Sequence, residues 1–347
     1  MYRWAEDEDK QAVMALWAKD FDCYEPYYSW YFSAVYRPEL TLCDFYDRRL
    51  ISMLQLAPYT LQLRGAALPV AYMVGVITDP SWRGQGRGQA LMREAHSWLE
   101  QQGYNAALLY TDIPGFYAPL GYSHCYQRQQ LDLPYEQFSL LAQLANGKTD
   151  WREGSLSGDI QEINSIYKSM TARYHGYIQR NREDWKKYLG EHSCDKARLT
   201  LAEGRAYLLY TQDKEKLRII ELGFTDTPSL TEALVKAVLL ATAANVERLC
   251  WPAPLDAPCL LPQIAAYLWQ PTPFVMARLL NCRLVLESLA CPPAALQIMT
   301  RLDIAALTRL IFGAAGALEE NIGITQSERL QLTKLYPPLP GWVNEYT

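Results

Sequence analysis

The chain has 347 residues, of which 50% are hydrophobic, 12% aromatic and 20% charged, and its formal net charge is −5. This composition excludes a disordered polymer, and the acidic balance argues against a general nucleic-acid or anionic-membrane partner while it suits a cationic substrate. The length exceeds one ordinary hydrophobic core, so two or three domains are expected.

The terminus and the cysteines indicate a compartment. The first ten residues, MYRWAEDEDK, are acidic and lack the apolar core of a signal peptide, and no run of 18 apolar residues predicts a membrane span. The eight cysteines are scattered without a Cys-x-x-Cys pair, which favours reduced thiols over a disulfide framework or a zinc site. We therefore expect a cytoplasmic protein that holds no metal.

The first third of the chain alternates between helical and strand patterns. Residues 5–20 are predicted to form an amphipathic helix, and the long apolar stretch over 48–79 is predicted to form successive strands. A second helix is expected from about Arg87 to Gln102, where Gly103 ends it. The apolar run NAALLYT, residues 105–111, then predicts another short strand.

A glycine-rich turn separates the long strands from the second helix. Residues 83–88, RGQGRG, place three glycines and two arginines where that helix begins, which suits a phosphate. A P-loop is excluded because no lysine follows these glycines, and a dinucleotide fingerprint fits weakly because Gln89 and Leu91 stand where its third glycine belongs. The remaining pattern is Arg83-x-x-Gly86-x-Gly88, and its alternative is a plain strand-to-helix turn with solvated arginines.

The chain repeats this layout once. The stretch from Glu221 to Trp251, ELGFTDTPSLTEALVKAVLLATAANVERLCW, again runs from a strand through Thr-Asp and a proline to an apolar helix and strand. We predict one α/β unit folded twice, near 1–145 and 150–270, unless the similarity is chance. The second copy carries SLTEA in place of the glycines, so it should not hold a phosphate.

These motifs resemble a known superfamily. The pattern Arg83-x-x-Gly86-x-Gly88 after VGVITDP resembles the acetyl-CoA pyrophosphate loop of GNAT N-acetyltransferases, and GFYAPLGY, residues 115–122, resembles the segment after that fold's next strand. The tandem layout and the aromatic-rich C-terminus resemble, more narrowly, the Eis-like family. In that family an active GNAT domain, a degenerate GNAT domain and a sterol-carrier-like domain follow in order.

The resemblance implies an α/β fold with mixed sheets, built from tandem GNAT acyl-CoA N-acyltransferase folds and a small C-terminal α+β region. It implies a catalytic domain over 1–145, a degenerate domain over 150–270 and a shortened sterol-carrier-like region over 271–347. It also implies a homo-oligomer.

The resemblance further implies acetyl-CoA as the co-substrate, with Tyr117 as the general acid and Tyr122 as its rival. Strand backbone before the glycines would pair with pantetheine amides and polarise the thioester carbonyl, and the loop would hold the pyrophosphate. The cofactor-binding residues so implied are Val76, Ile77, Thr78, Arg83, Gly84, Gln85, Gly86, Arg87, Gly88 and Gln89.

The resemblance also implies a role for the end of the chain. In the Eis-like family the terminal carboxylate reaches the active site as a base, which here would be that of Thr347. The family usually ends in an aromatic residue, so the apolar anchor would move to Tyr346 or Trp342.

The acceptor is the open part of the sequence prediction. Acidic and aromatic residues early in the chain would line a pocket for a cationic amine or form an ordinary amphipathic surface; they are Asp22, Glu25, Tyr27, Tyr28 and Trp30. The expected activity is acetyl transfer to a primary amine of a small aminoglycoside- or polyamine-like molecule. The alternatives are a protein lysine acetyltransferase and a non-catalytic sensor of acyl-CoA or lipid.

Overall fold

The computed structural model of the chain describes residues 1–21, 23–142, 150–319 and 323–344. The chain forms two compact units. The first unit contains Met1–Tyr126, His175–Gln179 and the described residues from Phe274 onward, and the second contains the described residues of 127–174 together with Arg180–Pro273. The borders differ from those expected near 145–150 and 270, because residues 127–134 join the second unit and the C-terminal region joins the first.

Strands form one mixed sheet in each unit. In chain order they are β1 (Tyr2–Trp4), β2 (Thr41–Tyr46), β3 (Arg49–Leu63), β4 (Ala66–Thr78), β5 (Ala106–Tyr110), β6 (Ser123–His124), β7 (Gln127–Pro134), β8 (Trp151–Gly154), β9 (Gly176–Ile178), β10 (Arg198–Ala202), β11 (Ala206–Gln212), β12 (Lys216–Phe224), β13 (Arg248–Ala253), β14 (Thr272–Pro273) and β15 (Val275–Leu279).

Helices connect and cover these sheets. In chain order they are α1 (Lys10–Trp17), α2 (Tyr27–Trp30), α3 (Arg87–Gln101), α4 (Pro114–Tyr117), α5 (Phe138–Ala142), α6 (Ile160–Thr171), α7 (Arg182–Cys194), α8 (Thr227–Ala243), α9 (Ala257–Leu260), α10 (Cys282–Ser288), α11 (Pro293–Met299), α12 (Ile304–Phe312) and α13 (Gln326–Leu335). The described part of the chain contains no helix that is both long and apolar enough to cross a membrane.

The first sheet has the order β1-β2-β3-β4-β5-β15-β6, with β9 added beside β3. Its neighbours are antiparallel except β4 and β5, which are parallel and are connected by α3. The parallel ladder joins Val70–Tyr72 to Ala106–Leu108 and no further. Beyond Tyr72 the two strands therefore separate, and β4 presents an unpaired edge towards β5.

Helix α3 follows the predicted periodicity. It buries Leu91, Met92, Ala95 and Leu99, which recur at the spacing of one helical face. It ends one residue before the predicted end, and Gly103 follows with a φ of 81°. The local sequence therefore determines this helix almost to the residue.

A bulge bends β4 near its end. Met53 and Gln55 of β3 pair with Ile77 and Val74, so β4 carries one extra residue between these pairs. Gly75 lies in this bulge with a φ of 58°, and a Cβ there would be 2.7 Å from the Trp17 ring. The glycine is required both by the backbone conformation and by the packing of α1 on the strand.

The second sheet has the order β8-β10-β11-β12-β13-β7-β14. Its parallel ladder joins Lys216–Arg218 of β12 to Arg248–Cys250 of β13, and α8 connects the two strands. The order matches that of the first sheet strand by strand. In each sheet the sixth strand lies outside the predicted copy that supplies the first five strands. This strand is β15 in the first sheet and β7 in the second.

The C-terminal region contributes β15 to the first sheet and helices α10 to α13 to the core of that unit. The described residues near its end pack against the first unit. Trp342 and Val343 are buried, and the backbone N–H of Trp342 donates to the Gly176 carbonyl at 2.6 Å. The sterol-carrier-like character of this region stays a prediction. The predicted fold class, an α/β fold with mixed sheets, is confirmed.

Candidate active site

A cavity of about 630 Å³ opens in the first unit between the end of β4, the start of α3 and the segment after β5. It is both polar and apolar, because loop backbone and arginines form part of its wall and aromatic side chains form another part. The lining residues are Asp20, Val76, Thr78, Trp82, Arg83, Gly84, Gly86, Arg87, Gly88, Gln89, Ile113, Phe116 and Tyr117.

The N-terminus of α3 opens onto this cavity with its first N–H groups unpaired. Gly86 occupies the N-cap position in the left-handed conformation, with a φ of 75° and no side-chain cap. The helical ladder begins with the Ala90 N–H, which donates to the Gly86 carbonyl at 3.0 Å. Within the described chain, the N–H groups of residues 87–89 have no acceptor, so they can bind an anion.

The three glycines of the loop serve different purposes. Gly84 and Gly86 both have a φ of 75°, and a Cβ at either position would meet no atom within 4 Å. Their missing side chains therefore leave open space above the loop, where an anion can approach. At Gly88 a Cβ would lie 3.1 Å from the Phe116 ring and from the Thr78 hydroxyl, so a larger residue there would require these side chains to shift.

A buried carboxylate anchors the loop where it leaves β4. Asp79 is 1% exposed and accepts hydrogen bonds from Lys19 Nζ at 2.6 Å, Arg49 Nη2 at 2.9 Å and the Ser81 hydroxyl at 2.7 Å. These partners, the Lys19 ammonium first, hold the pKa of Asp79 well below its usual range. No pattern in the sequence predicted this anchor, although Asp79 directly follows the strand.

Both loop arginines are paired with carboxylates. Arg83 donates from Nε to the Thr78 carbonyl at 3.0 Å and forms an ion pair with Asp20. Arg87 contacts the Asp44 carboxylate at 3.3 Å, and its guanidinium lies 5.4 Å from the centre of the Trp82 ring. The positive charge expected from the two arginines is thus partly neutralised.

The strand residues predicted to contact the cofactor lie at the bulged end of β4. Val76 and Thr78 line the cavity, whereas the Ile77 side chain is buried in the core and the Gln85 side chain is exposed outside the lining set. For Ile77 the prediction concerned the backbone, which belongs to the edge that β5 leaves unpaired. This edge fits an extended amide-bearing chain such as pantetheine.

Tyr117 meets the cavity at the end of α4. Its side chain is 7% exposed and packs against the Phe116 ring at 4.8 Å and the Tyr122 ring at 5.8 Å between centroids. Burial raises the pKa of Tyr117 to about 12. At this pKa the phenol keeps its proton at neutral pH. No hydrogen bond to its hydroxyl occurs among the described residues, so the hydroxyl is available to a ligand.

Tyr122, the rival residue, is engaged elsewhere. It is buried, lies outside the lining set, and its hydroxyl is 2.9 Å from His96 Nε2. Burial, followed by the neighbouring charges of Arg278 and Arg93, lowers the pKa of His96 to about 3. The structure therefore brings Tyr117, and not Tyr122, to the cavity.

The other predicted residues lie away from this cavity or outside the description. Thr347, Tyr346 and Asp22 are outside the described residues. None of the remaining acceptor candidates is in the lining set; they are Glu25, Tyr27, Tyr28 and Trp30. Among the residues that the structure describes, no group of three or more His, Cys, Asp or Glu side chains is placed to hold a metal ion.

Residues 1–125 match the family described as the acetyltransferase (GNAT) domain. This match covers the cavity, the loop and Tyr117. Comparison with the curated proteins finds no match.

Solved structures share the fold at low sequence identity. A GCN5-related N-acetyltransferase from Anabaena variabilis is 16% identical with a TM-score of 0.83, and Eis1 from Mycobacterium abscessus is 13% identical with a TM-score of 0.76; both comparisons cover 100% of each chain. N-myristoyltransferase from Saccharomyces cerevisiae with bound myristoyl-CoA is 11% identical with a TM-score of 0.53, over 81% of this chain and 82% of that one.

Proposed function

We propose, from the premise that the chain is a GNAT-type N-acetyltransferase, that it transfers acetyl from acetyl-CoA to a primary amine of a small cationic molecule. The acceptor class is aminoglycoside- or polyamine-like. The observation that carries the proposal is the meeting, in one cavity, of unpaired helix N–H groups, glycines with positive φ and a protonated tyrosine.

The loop supplies a binding site for the pyrophosphate. The N–H groups of residues 87–89 and the positive end of the α3 dipole favour an anion, and the open space above Gly84 and Gly86 allows close approach. Arg83 adds a guanidinium at the cavity wall. These groups suit the anionic part of acetyl-CoA.

The edge of β4 and Tyr117 would serve the reacting end. When bound, acetyl-CoA supplies an activated acetyl thioester. Backbone N–H groups of residues 76–78 would hold the pantetheine and polarise the thioester carbonyl. Tyr117, which keeps its proton at neutral pH, would donate that proton to the departing thiolate.

The acidity of the chain supports a cationic acceptor. The net charge is −5, and Asp20 contributes a carboxylate to the cavity wall. The resemblance to the Eis-like family suggests aminoglycosides among such amines. Protein lysine side chains are the competing acceptor, and the experiment below separates the two.

The proposal extends to organisation. We infer a catalytic first GNAT domain and a degenerate second one, so that one acetyl-CoA binds per chain. We also infer a cytoplasmic homo-oligomer. A calorimetric stoichiometry of two, or light scattering at 39.7 kDa, would contradict the corresponding part.

The test is turnover of acetyl-CoA against a panel of amines, followed by release of free thiol. The panel contains an aminoglycoside, spermidine and a lysine-containing peptide. Turnover with a small amine supports the proposal, whereas turnover with the peptide alone favours lysine acetylation. Calorimetric binding of acetyl-CoA without turnover on any amine would leave only the sensor function.

A further inference from the structure

We propose that Asp20 is an internal competitor for the phosphates of acyl-CoA and thereby sets the affinity of the site. Its carboxylate would hold the Arg83 guanidinium in the free protein and give it up when a phosphate enters. This inference rests on the proposed function of the cavity.

Asp20 and Arg83 face the same space. Both line the cavity, and they form an ion pair with each other although 62 residues separate them along the chain. The Asp20 side chain is 30% exposed and that of Arg83 is 49% exposed. A carboxylate therefore lies against a cationic side chain in the cavity proposed to receive phosphate.

The preceding residue makes a contrasting contact. Lys19 pairs with the buried Asp79, which has two further partners in Arg49 and Ser81. This buried contact anchors the loop, whereas the neighbouring pair of Asp20 and Arg83 is open to solvent. Exchange of the exposed partner would leave the anchor intact, so the loop would keep its conformation.

Arg83 would stay oriented during the exchange. Its Nε donates to the Thr78 carbonyl at 3.0 Å, and Asp20 occupies only Nη2. A phosphate could replace the carboxylate at Nη2 while the bond from Nε persists. Partly exposed ion pairs contribute little free energy, and a phosphate is the more highly charged acceptor, so the exchange favours the ligand.

Asp20 nevertheless weakens binding in two ways. The ligand must displace it from Arg83, and its negative charge then remains near the bound phosphates. Removal of this charge should strengthen binding, which is opposite to the usual effect of removing a charged residue from a binding site.

The experiment is calorimetric titration of acetyl-CoA into four proteins at low ionic strength: wild type, Asp20→Asn, Arg83→Gln and the double variant. We expect Asp20→Asn to bind about fivefold more tightly than wild type, in line with the loss of a partly exposed ion pair. In the Arg83→Gln background only the repulsion between Asp20 and the phosphates remains, so the same change should still strengthen binding but by a smaller factor, about twofold.

A matched control removes a carboxylate from a comparable pair in the second unit. Glu232 pairs with Arg205 at 3.0 Å, and Glu232→Gln should leave acetyl-CoA affinity unchanged. Unchanged or weaker binding by Asp20→Asn would overturn the inference, as would an equal gain in both arginine backgrounds. Failure of the wild type to bind acetyl-CoA would instead overturn the proposed function.

Discussion

The two crossover helices begin in opposite ways. Helix α3 has Gly86 as its N-cap residue, and the missing side chain leaves the first N–H groups of the helix unpaired. Helix α8 has Asp226 as its N-cap residue, whose side chain accepts a hydrogen bond from the Ser229 N–H at 2.8 Å, and Pro228 in the first turn has no N–H. The second helix thus carries its own anion. Two units with the same strand order therefore differ in whether the first turn of the crossover helix has its N–H groups open to an anion or satisfied by a side chain.

The segments after the fifth strand differ as well. Helix α4 ends at Tyr117, seven residues after the end of β5, and the equally short α9 ends at Leu260, seven residues after the end of β13. A leucine cannot donate a proton. The second unit therefore lacks, at the corresponding place, the group that the first unit presents to its cavity.

A buried ion pair further distinguishes the second unit. Glu221 lies on β12, three residues beyond the last residue that pairs with β13. Its carboxylate accepts hydrogen bonds from both Nη atoms of Arg180, at 2.8 and 2.9 Å. The Arg180 guanidinium lies over the rings of Tyr188, at 3.9 Å from its centroid, and of Trp185, at 4.5 Å. This region of the second unit is occupied by side chains, which supports the inference of one cofactor per chain.

The largest expected effect comes from the tyrosine hydroxyl. Tyr117→Phe should lower kcat by about 10³-fold, because a positioned proton donor contributes 10²–10⁴-fold. Acetyl-CoA affinity should change little, since the ring remains. Steady-state kinetics and calorimetry on the same preparation measure both.

Tyr122→Phe is the control for loss of a hydroxyl. Its hydroxyl bonds to buried His96, so the variant should lose about 1–2 kcal/mol of stability with a much smaller change in kcat. Equal losses of kcat in the two variants would assign no special role to Tyr117.

The second prediction concerns the cradle. Gly86→Val should weaken acetyl-CoA binding by at least about 100-fold, because a branched side chain at a φ of 75° is strained and fills the space left for the anion. Calorimetry measures the loss.

Gly204 of the second unit provides a matched control. It has a φ of 66° with no atom within 4 Å of a Cβ, so Gly204→Val introduces similar strain away from the cavity. This variant should lose comparable stability and still bind one acetyl-CoA. Weakened binding in both variants would trace the effect to stability alone.

The third prediction compares Asp79 and Asp226, the aspartates of the two Thr-Asp pairs that precede the crossover helices. Asp79→Asn should lower the free energy of unfolding by about 1–2 kcal/mol, because the contacts to Lys19 and Arg49 lose their charge. Asp226→Asn should change it by less than about 0.5 kcal/mol, since asparagine caps a helix as well as aspartate. Urea denaturation at pH 7 measures both.

The Asp79 effect should depend on pH. Its pKa is lowered in the folded protein, so its stabilisation is fully present above the unfolded value of about 3.9. The stabilisation declines as the pH falls below that value and is lost only as the pH passes through the lower pKa of the folded protein. The difference between wild type and Asp79→Asn should therefore shrink in acid. A difference that stays constant from pH 7 down to about pH 2 would contradict the ion-pair origin.

The smallest expected effect concerns the dependence of kcat on pH in the alkaline range, where we expect no titration of Tyr117. Since the pKa of Tyr117 is raised to about 12, the phenol keeps its proton below that pH. We therefore expect that titration of Tyr117 does not lower the kcat of the wild type between pH 8 and about pH 10. Wild type and Tyr117→Phe should have pH profiles of the same shape over this range. A titration near pH 10, the ordinary tyrosine value, that disappears in the variant would show an exposed phenol.

Short-range features were predictable from the sequence and long-range contacts were not. Helix α3 and the loop glycines follow from periodicity and backbone sterics, which neighbouring residues determine. The pairing of Arg83 with Asp20 depends on how α1 packs on the sheet, and no local pattern records it. The choice between Tyr117 and Tyr122 likewise depends on burial, which the motif GFYAPLGY does not reveal.

The origin of β15 has a consequence for synthesis. Strand β5 ends at Tyr110, but its antiparallel partner begins at Val275, so at roughly 5–20 residues per second the ribosome needs roughly 10–30 s to deliver it. During that time the edge of β5 is unpaired. Strand β7 is synthesised well before β15, the native partner of β5, and is available to pair with that edge. A fragment that ends near residue 145 keeps that edge permanently, and we expect it to aggregate rather than behave as an independent enzyme.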